Sequence, residues 1–422
     1  MCRRMDYVFF VFLLSFVAVF IVAMGAMWFG VTLGLILLCF VYPCSIALGV
    51  PDKEARWLWG IIVLHIMAAI ICSIYQGVLN VFSPDVIGFM QSVNAGNVPW
   101  GIGPGAYINF LRFFYVLSPS YFTVFMTSVL GTLLMCWALF WIVKSLNISQ
   151  YFLLILIIAM CIPTDILTTS IALREVWEVI TIMLALLSLI QISQCTGKRR
   201  LLYGSMLICG LFFMAFLHRG LFYIAFMFIP VFYIAYLFMK ASDRVDWIIR
   251  MLTILIGLVI VGCVLSFLAG RFSQFAQTAL AYSSKVGEGG SSYTIFFKPG
   301  GGILAGLLHL PLALFYYWFY PFPWDIHRVK DLYGCLLGLM RLFFIIYSFY
   351  WVLKSPNAKQ RHLGGALLMI LLMISMIFAI GTSNYGTSMR HNILTFWGFV
   401  MLGVPGFYLH RQRRYEKRLG RV

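Results

Sequence analysis

Long apolar runs separated by short polar segments recur along the whole chain, and each run has the length of a bilayer-spanning helix, about 20 residues. They fall at 7–25, 28–49, 57–76, 120–143, 150–168, 174–194, 201–217, 220–240, 250–269, 333–353, 363–381 and 391–409. The pattern predicts an all-α polytopic membrane protein of about twelve transmembrane helices. A further apolar stretch, 303–320, contains His309 and Pro311, follows KPGGG and ends in YYWFYPFPW. It reads as a re-entrant or interfacial helix on the outer side, with an ordinary thirteenth span as the competing reading. Two segments between spans are long, 77–119 and 270–332, and long loops in a compact membrane protein are usually functional. The first run lacks a small-residue cleavage pattern and reads as a span. The expectation is a single integral membrane domain, 1–422, with a basic tail at 410–422.

Composition removes the soluble classes. The chain is 63% hydrophobic and 10% charged, with a mean hydropathy of +0.97. A net charge of +17 invites a nucleic-acid reading, but topology explains it better, because inner loops collect Lys and Arg. Counting from an inner N-terminus, the inner segments hold Arg3, Arg4, Lys53, Arg56, Lys144, Lys198, Arg199, Arg200, Lys240, Arg244, Arg250, Lys354, Lys359, Arg361 and the basic residues of the tail HRQRRYEKRLGRV. Most of the 30 basic residues are then inside, with both termini inside. The 10 cysteines show no metal-site spacing and read as packing residues. No metal or other cofactor is expected.

The remaining charges fall on the outer side, where each needs a reason. In PTDILTTSIALREVWE, Arg174 and Glu178 are spaced to pair along one helix face. The segment is either a structural ion pair, or a phosphate site in which Glu175 or Glu178 orients Arg174 or serves as a base. FLHRGLF is a tight hairpin that puts His218 and Arg219 at the interface, where an arginine also simply snorkels. GTSNYGTSMRHN interrupts two apolar runs with small and polar residues. Its Asn384 and Tyr385 offer hydrogen bonds to a sugar or phosphate, and Arg390 and His391 are placed at a helix N-terminus, which favours an anion. A plain polar loop is the alternative. Asp85 in SPDVIGFMQ reads as a helix N-cap or as a general base. Trp324, Asp325 and Arg328 follow PFPW, an aromatic turn suited to stacking on a sugar ring or to anchoring at the interface. The topology puts Arg174, Arg219 and Arg390 on one side, and their convergence suits a lipid-linked phosphate.

PFPW at 321–324, NYGTSMRH at 384–391 and LRE at 173–175 together resemble the Wzy-type integral-membrane polysaccharide polymerases. The order D…RE…HR…PFPW…GTSxRH is also similar to the wider GT-C membrane glycosyltransferases, although those often carry an acidic pair after the first span where this chain has Asp85 after its third. The resemblance implies polymerisation of undecaprenyl-pyrophosphate-linked oligosaccharides at the outer face of a bacterial inner membrane, with a chain-length regulator as a further partner. Asp85 or Glu175 would accept the hydroxyl proton, with His391 as a third candidate, and Arg174, Arg219 and Arg390 would hold pyrophosphate. Two other readings stay open: a GT-C transferase using a polyprenyl-phosphate sugar, and a transporter for a lipid-linked saccharide.

Overall fold

The structure, a computed structural model, describes residues 27–75, 84–96, 98, 101–241, 302–382 and 384–419. The expected spans 7–25 and 250–269, and most of the long segment 270–332, lie outside the described residues. The described part is helical throughout its regular elements, with no β-strand among them. Nine described helices are long and apolar enough to cross a bilayer, or ten if one bent pair counts as a single span. The chain is a multi-pass, all-α membrane protein.

It divides into two compact units. The first comprises Met1–Phe140, Met160–Ile180 and Phe216–His218. Its elements begin with α1 (Trp28–Ala47) and α2 (Asp52–Ile74), which pack together as a hairpin, followed by α3 (Pro84–Ala95) and α4 (Pro104–Leu117). Most of α5 (Tyr121–Ser145), all of α7 (Pro163–Ser170) and the first turns of α8 (Glu175–Ile192) complete it. The described part of 77–119 is therefore largely helical. Gly103 opens α4 at φ 97°, a conformation that suits glycine, and its N–H donates to Phe216 O at 2.9 Å. α1 comes so close to α5 that a Cβ on Gly30 would stand 2.8 Å from Thr123 Cα.

The run 150–168, expected as one span, is broken. α6 (Phe152–Met160) and α7 are bent by 76°. The cause is local: Pro163 begins α7, and the residue before a proline is driven out of the helical region, as Ile162 is at φ −70°, ψ 131°. Thr132 Oγ1 donates to Thr169 O at 3.0 Å, satisfying a carbonyl at the end of α7 from α5.

The second unit comprises Trp141–Ala159, Thr181–Ala215 and Arg219–Val422. It holds α6, most of α8, α9 (Lys198–Leu217), α10 (Arg219–Ala241), α11 (Gly302–Phe319), α12 (Val329–Lys354), α13 (Ala358–Gly381), the short α14 (Tyr385–His391) and α15 (Ile393–Arg418). The stretch expected as re-entrant or interfacial is thus the helix α11, which contains Pro311. α13 is apolar all round, and 94% of its hydrophobic window is buried, as a central helix requires. α10, α11, α12 and α15 pack against it. Between helices in lipid there is little hydrophobic gain, so small residues and close approach carry the association. α15 supplies them: a Cβ on Gly403 would lie 2.7 Å from Phe344 O, and one on Gly406 would lie 2.0 Å from Tyr347 O. The outward face of α9 shows Ile208, Phe212 and Phe213 exposed, a surface that fits lipid.

Candidate functional site

The first unit holds a cluster of buried charges. α8 starts immediately after Arg174, whose carbonyl accepts from Trp177 N and Glu178 N at 3.0 Å each. Arg174 is therefore the residue that caps α8. Glu175 and Glu178 lie in the first turn, where the helix dipole favours carboxylates. Arg174 Nε stands 3.1 Å from Glu178 Oε1. Arg174, Glu175 and Glu178 are all buried, and so are Asp165, Thr168, Thr169 and Ser170 of α7. Charged groups removed from solvent are costly unless matched to partners. Their presence at a broken helix marks this as the chemically loaded end of the first unit.

α4 closes this cluster. Phe110 meets Trp177 edge-on at 5.0 Å, and Phe89 of α3 meets Tyr107 edge-on at 5.5 Å. Tyr107 is fully buried. Burial pushes its phenol well above the ordinary tyrosine range, the Glu175 and Glu178 carboxylates add to this, and Ser128 and Arg174 oppose it. Tyr107 thus keeps its proton, a buried phenol within electrostatic reach of the Glu175 and Glu178 carboxylates. Asp85 lies in the first turn of α3, one position past the Pro84 that opens the helix, and is exposed. It sits one turn before Phe89, the ring that touches Tyr107. His218 is the half-buried single residue between α9 and α10, and Arg219 opens α10.

The second unit contains the other expected residues. Asn384 caps α14, its Oδ1 accepting from Gly386 N at 2.8 Å and Thr387 N at 3.4 Å. The helix N-terminus expected at Arg390 and His391 is therefore at Asn384. Arg390 and His391 form the last turn of α14 and run through Asn392, itself in helical conformation, into α15. His391 is buried with its ring 4.9 Å from Phe378, and Arg390 is half-buried.

α14 is tied down along its length. Tyr385 Oη donates to Asp331 Oδ1, Ser388 Oγ donates to Tyr317 O, and Asn392 Nδ2 donates to the same carbonyl at 3.0 Å. Asp331 Oδ2 in turn accepts from Arg328 N at 2.9 Å and His327 N at 3.2 Å, capping the start of α12. Arg328 contributes this backbone N–H while its side chain is exposed, and Asp325 is half-buried. The PFPW turn includes a cis Tyr320–Pro321 bond and seats Pro321 against Gly334. Trp324 is exposed and stacks on Phe322 at 5.1 Å.

The structure thus groups Arg174, Glu175 and Glu178 in the first unit, and Asn384, Tyr385, Arg390 and His391 on one segment of the second. One residue escaped the sequence reading as a site member. Tyr107 sits in an aromatic-rich stretch with nothing local to single it out. Comparison with protein-family models, with curated proteins and with solved structures finds no match to this chain.

Proposed function

We propose that the protein is a membrane glycosyltransferase that joins undecaprenyl-pyrophosphate-linked oligosaccharide repeat units at the outer face of a bacterial inner membrane. The observation that supports it most is the buried set Arg174, Glu175, Glu178 and Tyr107 of the first unit. In the reaction, a sugar hydroxyl of one unit attacks the anomeric carbon of the other. The new glycosidic C–O bond forms as the bond from that carbon to the pyrophosphate oxygen breaks, and the lipid pyrophosphate leaves with the electron pair. Glu175 accepts the hydroxyl proton. The Arg174 guanidinium, oriented by Glu178, faces the charge that develops on the leaving phosphate, where a preorganised cation away from bulk water acts strongly. Tyr107 supplies a hydrogen bond from a phenol that stays protonated. The Wzy-type resemblance assigns Arg219 and Arg390 to pyrophosphate and leaves Asp85 and His391 as further base candidates, while His218, Trp324, Asp325, Arg328, Asn384 and Tyr385 complete the proposed substrate-binding set.

A second reading, transport of a lipid-linked saccharide, is favoured by one observation. Broken helices with buried polar groups are the usual substrate sites of transporters, and the α6–α7 pair is such a break. One experiment separates the two. Purified protein in lipid nanodiscs is given undecaprenyl-pyrophosphate oligosaccharide, and products are resolved by size. A ladder that disappears in Arg174→Ala and Glu175→Gln is the expected result. Absence of any extension by the wild type, or wild-type extension by Arg174→Ala, overturns the polymerase reading. Movement of the intact donor between leaflets in proteoliposomes would then establish the transporter.

A further inference from the structure

We infer that one end of the second unit is a binding surface for anionic phospholipid headgroups. The segments that form this end are far apart in sequence and are tied together by hydrogen bonds. Arg413 Nη2 donates to Lys354 O at 2.9 Å, joining the end of α15 to the end of α12. Arg361 Nη1 donates to Ser355 O at 2.7 Å across the α12–α13 corner. Gln360 Nε2 donates to Leu146 O at 3.1 Å and Asn147 O at 3.2 Å, bringing in the end of α5. Lys359 Nζ donates to Gln194 Oε1 at 3.0 Å, bringing in the end of α8 four residues before Lys198. Tyr151 stacks on Tyr408 at 5.2 Å. One surface therefore gathers Lys144, Lys198, Arg199, Arg200, Lys354, Lys359, Arg361 and the basic residues of α15. Glu416 is the acidic residue among these segments, and it is engaged by Gln412 at 2.9 Å.

Helix electrostatics argue that the counter-charge is external. Lys198, Arg199 and Arg200 occupy the first turn of α9, and Lys359 and Arg361 lie at the start of α13. The positive end of a helix dipole disfavours cations there. No acidic residue shares the first turn of either helix. Lys198, Arg199, Arg200, Arg411, Arg414, Lys417 and Arg418 are exposed, and so open to a counter-charge supplied from outside the chain.

α15 has the length to deliver its charges to the phosphate layer. Its buried part ends at Gly406, and the helix runs on to Arg418. At 1.5 Å per residue this carries it about 18 Å past the core, enough to cross a headgroup region. The extension is two-sided. Tyr408, Tyr415 and Leu419, all exposed, fall on one stripe at helical spacing. Arg411, Arg414 and Arg418 fall on a second, as in helices that rest at an anionic interface.

Lipid selectivity of the full chain tests this. The protein is reconstituted in phosphatidylcholine bilayers with a trace of spin-labelled phosphatidylglycerol or phosphatidylcholine, and the protein-associated fraction of each is read by electron paramagnetic resonance. The expected preference for phosphatidylglycerol is about fivefold or more, the effect of roughly one basic contact, and it falls in high salt. Changing Lys198, Arg199, Arg200, Arg411, Arg414, Lys417 and Arg418 to Gln together removes the preference, while changing the arginines to Lys retains it. Equal association of the two lipids with the wild type, or full preference in the Gln variant, overturns the inference. If the combined Gln variant does not fold, the tail variant and the α9 variant are measured separately, and full preference in both overturns it equally.

Discussion

Arg174 Nε lies 3.1 Å from Glu178 Oε1, one turn along the start of α8, with both side chains buried. A pair of this kind is more costly to break than its net contribution suggests, because removing one partner leaves the other buried and uncompensated. Glu178→Ala should destabilise the first unit by about 3–5 kcal/mol, and Arg174→Ala should cost a similar amount. The Arg174→Ala/Glu178→Ala double variant should be less than additive. Thermal unfolding in detergent checks the cycle, and strict additivity would show that the two groups do not interact.

Tyr107 separates chemistry from packing. Tyr107→Phe keeps the ring contacts with Phe89 and Phe110 and removes the hydroxyl that lies within electrostatic reach of Glu175 and Glu178. Chain extension should slow by about tenfold, the effect of one hydrogen bond of ordinary strength, with folded yield retained. The pH dependence has a definite sign. The folded phenol is held above its ordinary value of 10.0, so its contribution to stability is complete below that pH. It is lost as pH rises toward the folded value. The alkaline loss of stability should therefore be shallower in Tyr107→Phe than in the wild type. Identical alkaline profiles for the two proteins would contradict this account of Tyr107.

Much of the architecture is readable from apolar run length alone, because a bilayer leaves the chain few choices. α5 and α13 are where the runs 120–143 and 363–381 place them, give or take a few residues at each end. The break before Pro163 was written in the sequence too, but averaging hydropathy over 150–168 hides it. Arg174 and Glu178 pair as their spacing implies. What local sequence does not carry is tertiary selection. The aromatic stretch around Tyr107 gives no sign that this ring, rather than Tyr115, is the one fully buried. Hydropathy also fails to distinguish α13, central and buried, from α9, whose window is only 17% buried. In lipid an apolar residue suits either position.

The α12–α15 crossing depends on α15 having no side chain at two positions. A Cβ on Gly406 would stand 2.0 Å from Tyr347 O, whereas nothing lies within 4 Å of one on Gly204. Gly406→Ala must push backbone from backbone and should cost several kcal/mol through lost packing, about 2 kcal/mol or more by analogy with overpacked cores. Gly204→Ala should be neutral or slightly stabilising, since alanine is the better helix former. Parallel melting curves of the two variants decide the point. A normal Gly406→Ala protein would mean that α15 does not pack against α12 this closely.

Holding the α14 segment in place and using it are separable. Tyr385 to Asp331, and Ser388 and Asn392 to Tyr317 O, fix α14 on the ends of α12 and α11. None of these bonds involves the Arg390 side chain. Tyr385→Phe leaves the Asp331 carboxylate with its two backbone donors but without the phenol, a loss of about 1–3 kcal/mol at a buried site. Hydrogen exchange of residues 384–392 should quicken accordingly while the rest of α15 keeps its protection. Arg390→Ala should abolish chain extension while the Tyr385, Ser388 and Asn392 tethers stay in place. If Arg390→Ala instead loosens the segment as Tyr385→Phe does, its effect on extension is structural. Arg390 then drops out of the phosphate-binding set, while the tethers of α14 stand on the exchange data alone.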